Sequence, residues 1–245
     1  KGQFTVYWRR PGEPLGRFER FGTNEVGYRG FEGQLNRLLE EGQEVRVAVE
    51  STGNTRYFKR RVEALGVPVV VINTMKFKVV TESVKKTDRH DASTIAEFLE
   101  KDMLPQARLC SIESEELRRV LKARTVLVRS VVAVKNQVHG LLLSLGIESK
   151  KGSLQSQEGR RRVLNVLAEH GLAGQAVEPL LETIDRLEAE VKKLEKILQQ
   201  KVQGDRVVEL LKTIPGAGII TAATIRAYVD DIGRFLSYKQ FSAYA

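Results

Sequence analysis

Two aspartates stand three residues apart in the stretch KTDRHDA, residues 86–92, just ahead of an apolar-periodic run. If a helix begins here, the spacing brings the carboxylates of Asp88 and Asp91 onto one face of its first turn, where they can share a cation. Aspartates at a helix start also cap backbone N–H groups and complement the helix dipole, which is the alternative interpretation. The pair alone leaves both interpretations open.

A third carboxylate, Glu50, ends the predicted strand VRVAVE, and the residues STG then turn the chain into a helix. Ligands of open α/β sheets bind beyond the carboxyl ends of the strands, so we expect Glu50 to face a crevice unless it only caps the helix. Together with Asp88 and Asp91 it supplies three hard oxygen ligands, which suit Mg²⁺ or Mn²⁺ rather than Zn²⁺. Two such ions can clamp the attacking and leaving oxygens of a phosphodiester displacement.

The segments around these carboxylates predict an α/β fold. The apolar stretch VPVVVIN is typical of a strand buried on both faces of a parallel sheet, and strands and helices alternate before it. The predicted elements are strands at 3–10 and 16–22, a helix from Asn24 to Gly42, a strand at 44–50, a helix at 52–65, a strand at 67–73 and a helix that follows KTDRHDA to about residue 101.

Helical patterns fill the second half of the chain. Apolar residues recur at helical spacing over 113–145, and a polar stretch at 150–159 indicates a linker. A seam with apolar spacing 4, 3, 4, 3, 4 follows, which requires a partner helix. We expect the seam to pair protomers, although an intrachain helical hairpin would need the same pattern. The seam consists of Leu180, Ile184, Leu187, Val191, Leu194 and Leu198.

The charge balance favours a polyanionic partner. The chain has 40 Lys+Arg against 31 Asp+Glu, a formal net charge of +9, which indicates nucleic acid or, alternatively, a basic surface that is merely solvated. The turn IPGAG resembles a helix-hairpin-helix, in which glycines let backbone N–H groups approach a phosphate. The candidate phosphate contacts are Lys86, Arg89, Arg118, Lys122, Arg129, Lys135, Gly216 and Gly218.

The rest of the composition indicates a cytoplasmic protein without a membrane partner. Cys110 is the single cysteine, which excludes an internal disulfide framework and a cysteine-based zinc cage. No apolar run approaches the roughly 20 residues that cross a bilayer, and the basic start lacks the apolar core of a signal peptide.

Several stretches together carry a family resemblance: VAVESTGN, VVVIN, KTDRHDA, the long helical stretch and TIPGAGIITAATIRAYVDDIGRFLSYKQFSAYA. The combination closely resembles the DEDD insertion-sequence transposases of the IS-one-ten family, to which the Piv-type DNA invertases are related. The likeness covers most of the chain, and the motifs KTDxxDA and IPGxGxxTAA are its most specific parts.

The resemblance implies an RNase H-like domain similar to the RuvC Holliday-junction resolvase, with four acidic residues and two bound Mg²⁺ or Mn²⁺ ions. Glu50 matches the family's glutamate, and Asp88 and Asp91 match its last two aspartates. The family's first aspartate and its proposed serine nucleophile have no match, so we expect a chain truncated at both ends. The implied domains are a RuvC-like domain at 1–150, a linker and α-helical coiled coil at 151–205, and the start of a helical, helix-hairpin-helix-like domain at 206–245.

The implied function is metal-dependent cleavage and joining of DNA strands by a recombinase of an insertion sequence. The family's use of a transposon-encoded bridging RNA implies a structured guide RNA as a second partner. Action on two DNA sites implies a homo-oligomer, and a DNA substrate implies a location at the prokaryotic nucleoid. The alternatives are a junction-resolving nuclease that only cuts and a non-catalytic scaffold that binds nucleic acid.

Overall fold

The computed structural model describes residues 2–13, 15–80, 88–148 and 152–244, without the side chains of residues 78–90. The chain divides into two compact units, Lys1–Leu109 and Cys110–Ala245. The first contains all four described strands, and the second is helical.

The first unit opens with a β-hairpin. Strand β1 (Gln3–Trp8) runs antiparallel to β2 (Arg17–Gly22), as the sequence predicts. Helix α1 (Glu25–Glu40) follows, and the side chain of Asn24 accepts a 2.9 Å hydrogen bond from the backbone N–H of Gly27. This bond satisfies one of the free N–H groups of the first turn, which confirms the predicted cap.

A strand–helix–strand unit comes next. Strand β3 (Val47–Glu50) pairs in parallel with β4 (Val69–Ile72), and α2 (Thr55–Glu63) connects them. An extended segment covers the other edge of β4, because the N–H of Asn73 donates to Pro105 O and the N–H of Ala107 to Val71 O, both at 2.7 Å. The predicted parallel pair is therefore present.

Helices cover both faces of the β3–β4 sheet. Residues alternate between the two faces along each strand. One face packs on α1 and α2, and the other on α3 (Thr74–Val80) and α4 (Asp88–Glu100). The first is formed by Val47, Val49 and Val69 with Phe31, Leu35 and Phe58, and the second by Ala48, Val70 and Ile72 with Phe77, Ile95, Phe98 and Leu99. The unit is therefore α/β, as predicted.

The second unit contains six described α-helices and one short 3₁₀ turn. They are α5 (Ile112–Ser144), α6 (Gln157–Leu167), α7 (Leu172–Lys201), α8 (Arg206–Lys212), α9 (Ile219–Val229), the 3₁₀ turn Ile232–Arg234 and α10 (Tyr238–Tyr244). Part of the stretch predicted as a linker is packed, because Leu154 is buried and α6 begins within that stretch.

The heptad seam of α7 packs against α5 of the same chain. Toward one end, Ile184 lies in a cluster with Val131 and Val138, and at the other Leu198 lies with Leu117 and Leu121. The two helices therefore run antiparallel. Of the two partners that the sequence left open, the intrachain helix is the one that fills this seam.

Helix α5 corrects one expectation. By length and composition alone it is apolar enough to cross a membrane, the one such helix among the described residues. It was not predicted because charged residues such as Arg129 and Lys135 interrupt the apolar run. A long helix that buries one face in a protein core can be equally apolar, and α5 packs on α7 and α9.

Candidate metal centre and nucleic-acid interface

Glu50 lies at the carboxyl end of β3 with an exposed side chain. Ala48 packs toward α4 and Val49 toward α1 and α2. Because side chains alternate along a strand, Glu50 belongs to the face that Ala48 occupies. The carboxylate is therefore placed on the side of the sheet that α4 covers.

Helix α4 runs antiparallel to β3. Asp102, just past the end of the helix, pairs with Arg46, just before the start of the strand. Ile95, in the middle of α4, packs in the same cluster as Ala48. The first turn of α4 must therefore point toward the carboxyl end of β3.

The lengths of the two elements match. From Arg46 to Glu50 a strand advances about 13 Å, and from Glu100 back to Asp91 a helix advances about 14 Å. For an antiparallel pair of these lengths we expect Asp91 to lie at about the level of Glu50. Asp91 is exposed, so its carboxylate is open to solvent there.

Glu100 fixes the other end of α4 to the β-hairpin. One of its carboxylate oxygens accepts a 2.9 Å hydrogen bond from the N–H of Gly12, and the other lies 3.2 Å from Nε of Arg9. With the Arg46–Asp102 ion pair, these contacts tie α4 to both β1 and β3. The direction of the helix is therefore set at the end remote from its aspartates.

Part of the predicted metal set lies outside the described side chains. Asp88 and Arg89 belong to the first turn of α4, but only their backbone is described, and Lys86 lies outside the described residues. Among the described side chains, no three His, Cys, Asp or Glu residues form a metal cluster. The set of Glu50, Asp88 and Asp91 includes a side chain outside that description, so its convergence stays a prediction.

The turn after Glu50 is closed by hydrogen bonds that were not predicted from the sequence. The hydroxyl of Thr55 donates to Glu50 O at 2.8 Å and accepts from the N–H of Thr52 at 2.7 Å. Thr52 donates in turn to Oδ1 of Asn54 at 2.8 Å, and Nδ2 of Asn54 donates to the hydroxyl of Tyr28 at 3.0 Å. In the sequence, the run STGNT directly after a carboxylate at a strand end is the pattern that could have indicated this turn.

Two of the basic residues predicted on α5 have partners inside the chain. Nε of Arg118 donates to Ala227 O at 2.9 Å, and its guanidinium lies 4.9 Å from the ring centroid of Tyr228, at the C-terminal end of α9. Nζ of Lys135 donates to Glu188 at 2.7 Å. Both side chains therefore have structural roles in the second unit.

The other two predicted residues of α5, Lys122 and Arg129, are exposed. Neither forms an ion pair with another side chain in the described part of the chain. They stand two helical turns apart, about 10 Å along the axis and on one face of α5. These two charges are available to a phosphate backbone.

The IPGAG turn joins α8 to α9. Gly216 has φ of +83°, a conformation that favours glycine. Gly218 precedes α9 with φ of −76°, and a Cβ there would meet open space. The flanking basic side chains are engaged, since Lys212 pairs with Glu209 and Arg226 with Asp205. If the turn contacts a phosphate, it does so with backbone rather than with these charges.

Comparison with known proteins gives two family matches and three relatives. A transposase family of the DEDD and IS110 type matches residues 3–147, which is more than half of the chain, and the transposase family IS116/IS110/IS902 matches residues 208–245. A probable family 20 transposase of Pseudomonas aeruginosa is 28% identical over 208 residues, 81% of this chain and 59% of the relative.

The other two relatives are also transposases. The transposase for insertion sequence element IS1111A of Coxiella burnetii is 28% identical over 81% of this chain and 55% of its own length, and that for IS1328 of Yersinia enterocolitica is 27% identical over 86% and 62%. The chain thus spans between 55% and 62% of the length of these relatives. From the family matches, the chain belongs to the IS110 family of insertion-sequence transposases, the IS-one-ten family that its motifs resemble.

Proposed function

We propose that the chain carries the metal-binding part of an enzyme that cleaves and joins DNA strands in the transposition of an insertion sequence. Glu50, Asp88 and Asp91 would hold Mg²⁺ or Mn²⁺, in two ions when the site is complete. One observation supports the proposal: the end of α4 is tied to the start of β3 through Asp102 and Arg46, so that α4 runs antiparallel to β3 and begins toward the carboxyl end of the strand.

The residues fit a hard divalent cation. Glu50 ends β3 and Asp91 lies near the start of α4, both side chains are exposed, and oxygen ligands are those that Mg²⁺ and Mn²⁺ prefer. A bound pair of such ions supplies charge stabilisation and activation of the attacking oxygen in phosphodiester displacement. Glu50, Asp88 and Asp91 would hold such ions where β3 ends and α4 begins.

We also propose that a further strand completes the sheet and brings the fourth carboxylate. β1 and β3 pair with β2 and β4, and no described strand pairs with their remaining edges. Both strands contribute to one core cluster, through Phe4 and Val6 and through Val47 and Val49, and both contact α4. A strand between them would join the two sheets and end beside Glu50.

DNA and a structured guide RNA are the proposed partners of a homo-oligomer in the cytoplasm, at the nucleoid. Lys122 and Arg129 are exposed on α5. At the IPGAG turn, no atom of the described residues, apart from the two chain neighbours of Gly218, lies within 4 Å of a Cβ placed on Gly218, which leaves room for a phosphate. We assign the catalytic domain to 1–150, the linker and coiled-coil region to 151–205 and the start of the C-terminal domain to 206–245.

The test is nicking and joining of supercoiled DNA with Mg²⁺ or Mn²⁺. We expect residues 1–245 to bind DNA but cut weakly, and a fusion that adds an aspartate-bearing strand before β1 to cut efficiently. Asp91→Asn in the fusion should abolish cutting, whereas Glu63→Gln, on the exposed end of α2, should not.

The outcomes separate the candidate functions. Cutting with joining supports the transposase, and cutting alone supports a resolvase-like nuclease. DNA binding without cutting in the fusion supports a non-catalytic scaffold. Efficient cutting by residues 1–245 alone would contradict the need for a further strand.

A further inference from the structure

The side chain of Glu50 makes no hydrogen bond or ion pair with the described part of the chain, although the side chain itself is described and exposed. The backbone at the end of β3 therefore sets the position from which this side chain extends. The backbone O of Glu50 accepts from the hydroxyl of Thr55, which also accepts from the N–H of Thr52. The hydroxyl of Thr55 thus links Glu50, the last residue of the strand, to Thr52 in the turn that follows it.

Core packing does not require that hydroxyl. Thr55 is only 1% exposed, and it is one of three buried polar residues in the described chain. A valine has nearly the same shape and would fill the same space without the two hydrogen bonds. The hydroxyl therefore matters for the geometry of the turn rather than for its volume.

The turn is also tied to the core of the first unit. Nδ2 of Asn54 donates to the hydroxyl of Tyr28, a 4% exposed residue of α1. The ring of Tyr28 stacks on Phe4 with centroids 5.4 Å apart, and Arg61 lies 5.2 Å above it. The turn is thus held by Tyr28 of α1, which bonds Asn54, and by Thr55, the first residue of α2.

We propose that Thr55 is the positioning residue of Glu50 and that Asn54 anchors the same turn to Tyr28. This inference rests on the proposed role of Glu50 as a metal ligand. Thr55 acts through the backbone of the strand end and touches neither metal nor DNA. A carboxylate that is held in place by its backbone binds a metal more tightly than one that must be ordered at binding.

The test compares Mn²⁺ affinity, measured by electron paramagnetic resonance, with amide exchange of Thr52, measured by NMR. The proteins are the wild-type chain, Thr55→Val, Thr55→Ser and Glu50→Gln. Thr183→Val is the matched control, because the hydroxyl of Thr183 donates to Pro179 O on the exposed side of α7. Thermal unfolding of each protein establishes that it is folded at the temperature of the measurement.

We expect Thr55→Val to weaken Mn²⁺ binding about tenfold, the lower end of the effect of outer-shell partners, and to speed exchange of the Thr52 amide. Thr55→Ser, which keeps the hydroxyl, should restore both, and Thr183→Val should change neither. Wild-type Mn²⁺ affinity in Thr55→Val, with Glu50→Gln impaired, overturns the positioning role and leaves the metal site standing. Equal affinity in the wild type and Glu50→Gln overturns the metal site itself and the inference with it.

Discussion

Arg118 and Lys122 lie one turn apart on α5, and their roles cannot be told apart from the sequence. Arg118 reaches the last carbonyls of α9, at 2.9 Å from Ala227 O and 3.2 Å from Tyr228 O. Lys122 is exposed. Charge on a helix therefore predicts a phosphate track only for the residues that do not bind a neighbouring helix.

Replacing Arg118 with alanine should lower the free energy of unfolding by about 1–2 kcal/mol, because two carbonyls lose a charged hydrogen-bond donor. Lys122→Ala, the matched control, should stay within about 0.5 kcal/mol of the wild type. Chemical denaturation monitored by circular dichroism measures both. Equal stabilities for the two variants would contradict a structural role for Arg118.

Arg160 is 4% exposed and joins α6 to α7 through ion pairs with Asp185 and Glu188. Partial burial tends to raise the pKa of Glu188, but hydrogen bonds from Arg160 and Lys135 outweigh it, so the pKa lies below the ordinary value of 4.5. A carboxyl with a lowered folded-state pKa stabilises the fold above its unfolded-state pKa. That contribution is lost as the pH falls through the folded-state pKa.

We expect Arg160→Ala to lower the free energy of unfolding by about 2–3 kcal/mol at neutral pH, less than for a fully buried pair because the carboxylates are partly exposed. The difference from the wild type should shrink as the pH drops below 4.5. Denaturant midpoints at neutral and acidic pH measure it. The control is Arg162→Ala, because Arg162 forms an exposed pair with Glu158. If the difference in free energy of unfolding between the wild type and Arg160→Ala does not change with pH, the ion pairs of Arg160 do not stabilise the fold as proposed.

Among the helices, the α7 seam shows what a heptad pattern can predict and what it cannot. It predicts that a partner helix exists, and α5 supplies one with antiparallel apolar contacts from Leu117 to Leu142. The pattern does not specify which helix, because the same apolar side chains can pack on a helix of a second copy or on a helix of the same chain. In the structure the partner is α5 of the same chain.

Ile184→Ala should lower the free energy of unfolding by about 2–5 kcal/mol, since Ile184 is fully buried between α7 and α5. The loss caused by Ile184→Ala should be the same at low and at high protein concentration, because both helices of the seam belong to one chain. The exposed Arg186→Ala is the control. A midpoint that rises with protein concentration and is flattened by Ile184→Ala would show that the seam pairs protomers instead.

The elements of the first unit could largely be predicted from the sequence. Alternation and apolar runs predict β1 to β4, and Asn24 predicts the start of α1. The strands are shorter than predicted, because the first ladder ends at the pair of Trp8 with Arg17 and the second begins only at the pair of Val47 with Val69. The direction of α4 could not be predicted, since it depends on contacts of Arg46 and Glu100 with residues far away in sequence.

The residues of the candidate site come from the sequence and their convergence stays a prediction, whereas the contacts around Glu50 were found only in the structure. Strand-end placement singled out Glu50, and helical spacing singled out Asp88 and Asp91. The hydroxyl of Thr55 was not predicted to matter, because a threonine beside a turn usually caps a helix rather than linking back to the preceding strand. Long-range contacts, not local pattern, also decided the structural roles of Arg118 and Lys135.

At the scale of the molecule, a net charge of +9 favours nucleic acid, and only part of that charge is free. Binding driven by release of counterions falls steeply with salt, by roughly a thousandfold between about 50 and 200 mM for six or more phosphate contacts. We expect this chain to show such a dependence with structured RNA or duplex DNA.

Replacing Lys122 and Arg129 together with alanine should reduce the slope of log affinity against log salt by about two, because each side chain neutralises one phosphate. Lys193→Ala, whose charge is paired with Glu190, should leave the slope unchanged. Fluorescence anisotropy at several salt concentrations measures both. A slope that the double variant does not alter would place the phosphate-binding residues elsewhere on the molecule.

In the proposed site, β3 and α4 bring Glu50, Asp88 and Asp91 to one divalent cation. The most direct measurement is anomalous diffraction from crystals of residues 1–245 soaked in Mn²⁺. We expect an anomalous peak at about 2.0–2.2 Å from carboxylate oxygens of Glu50 and Asp91, with Asp88 as the third ligand. A peak bound to other residues, or carboxylates of Glu50 and Asp91 on opposite edges of the sheet, would contradict it.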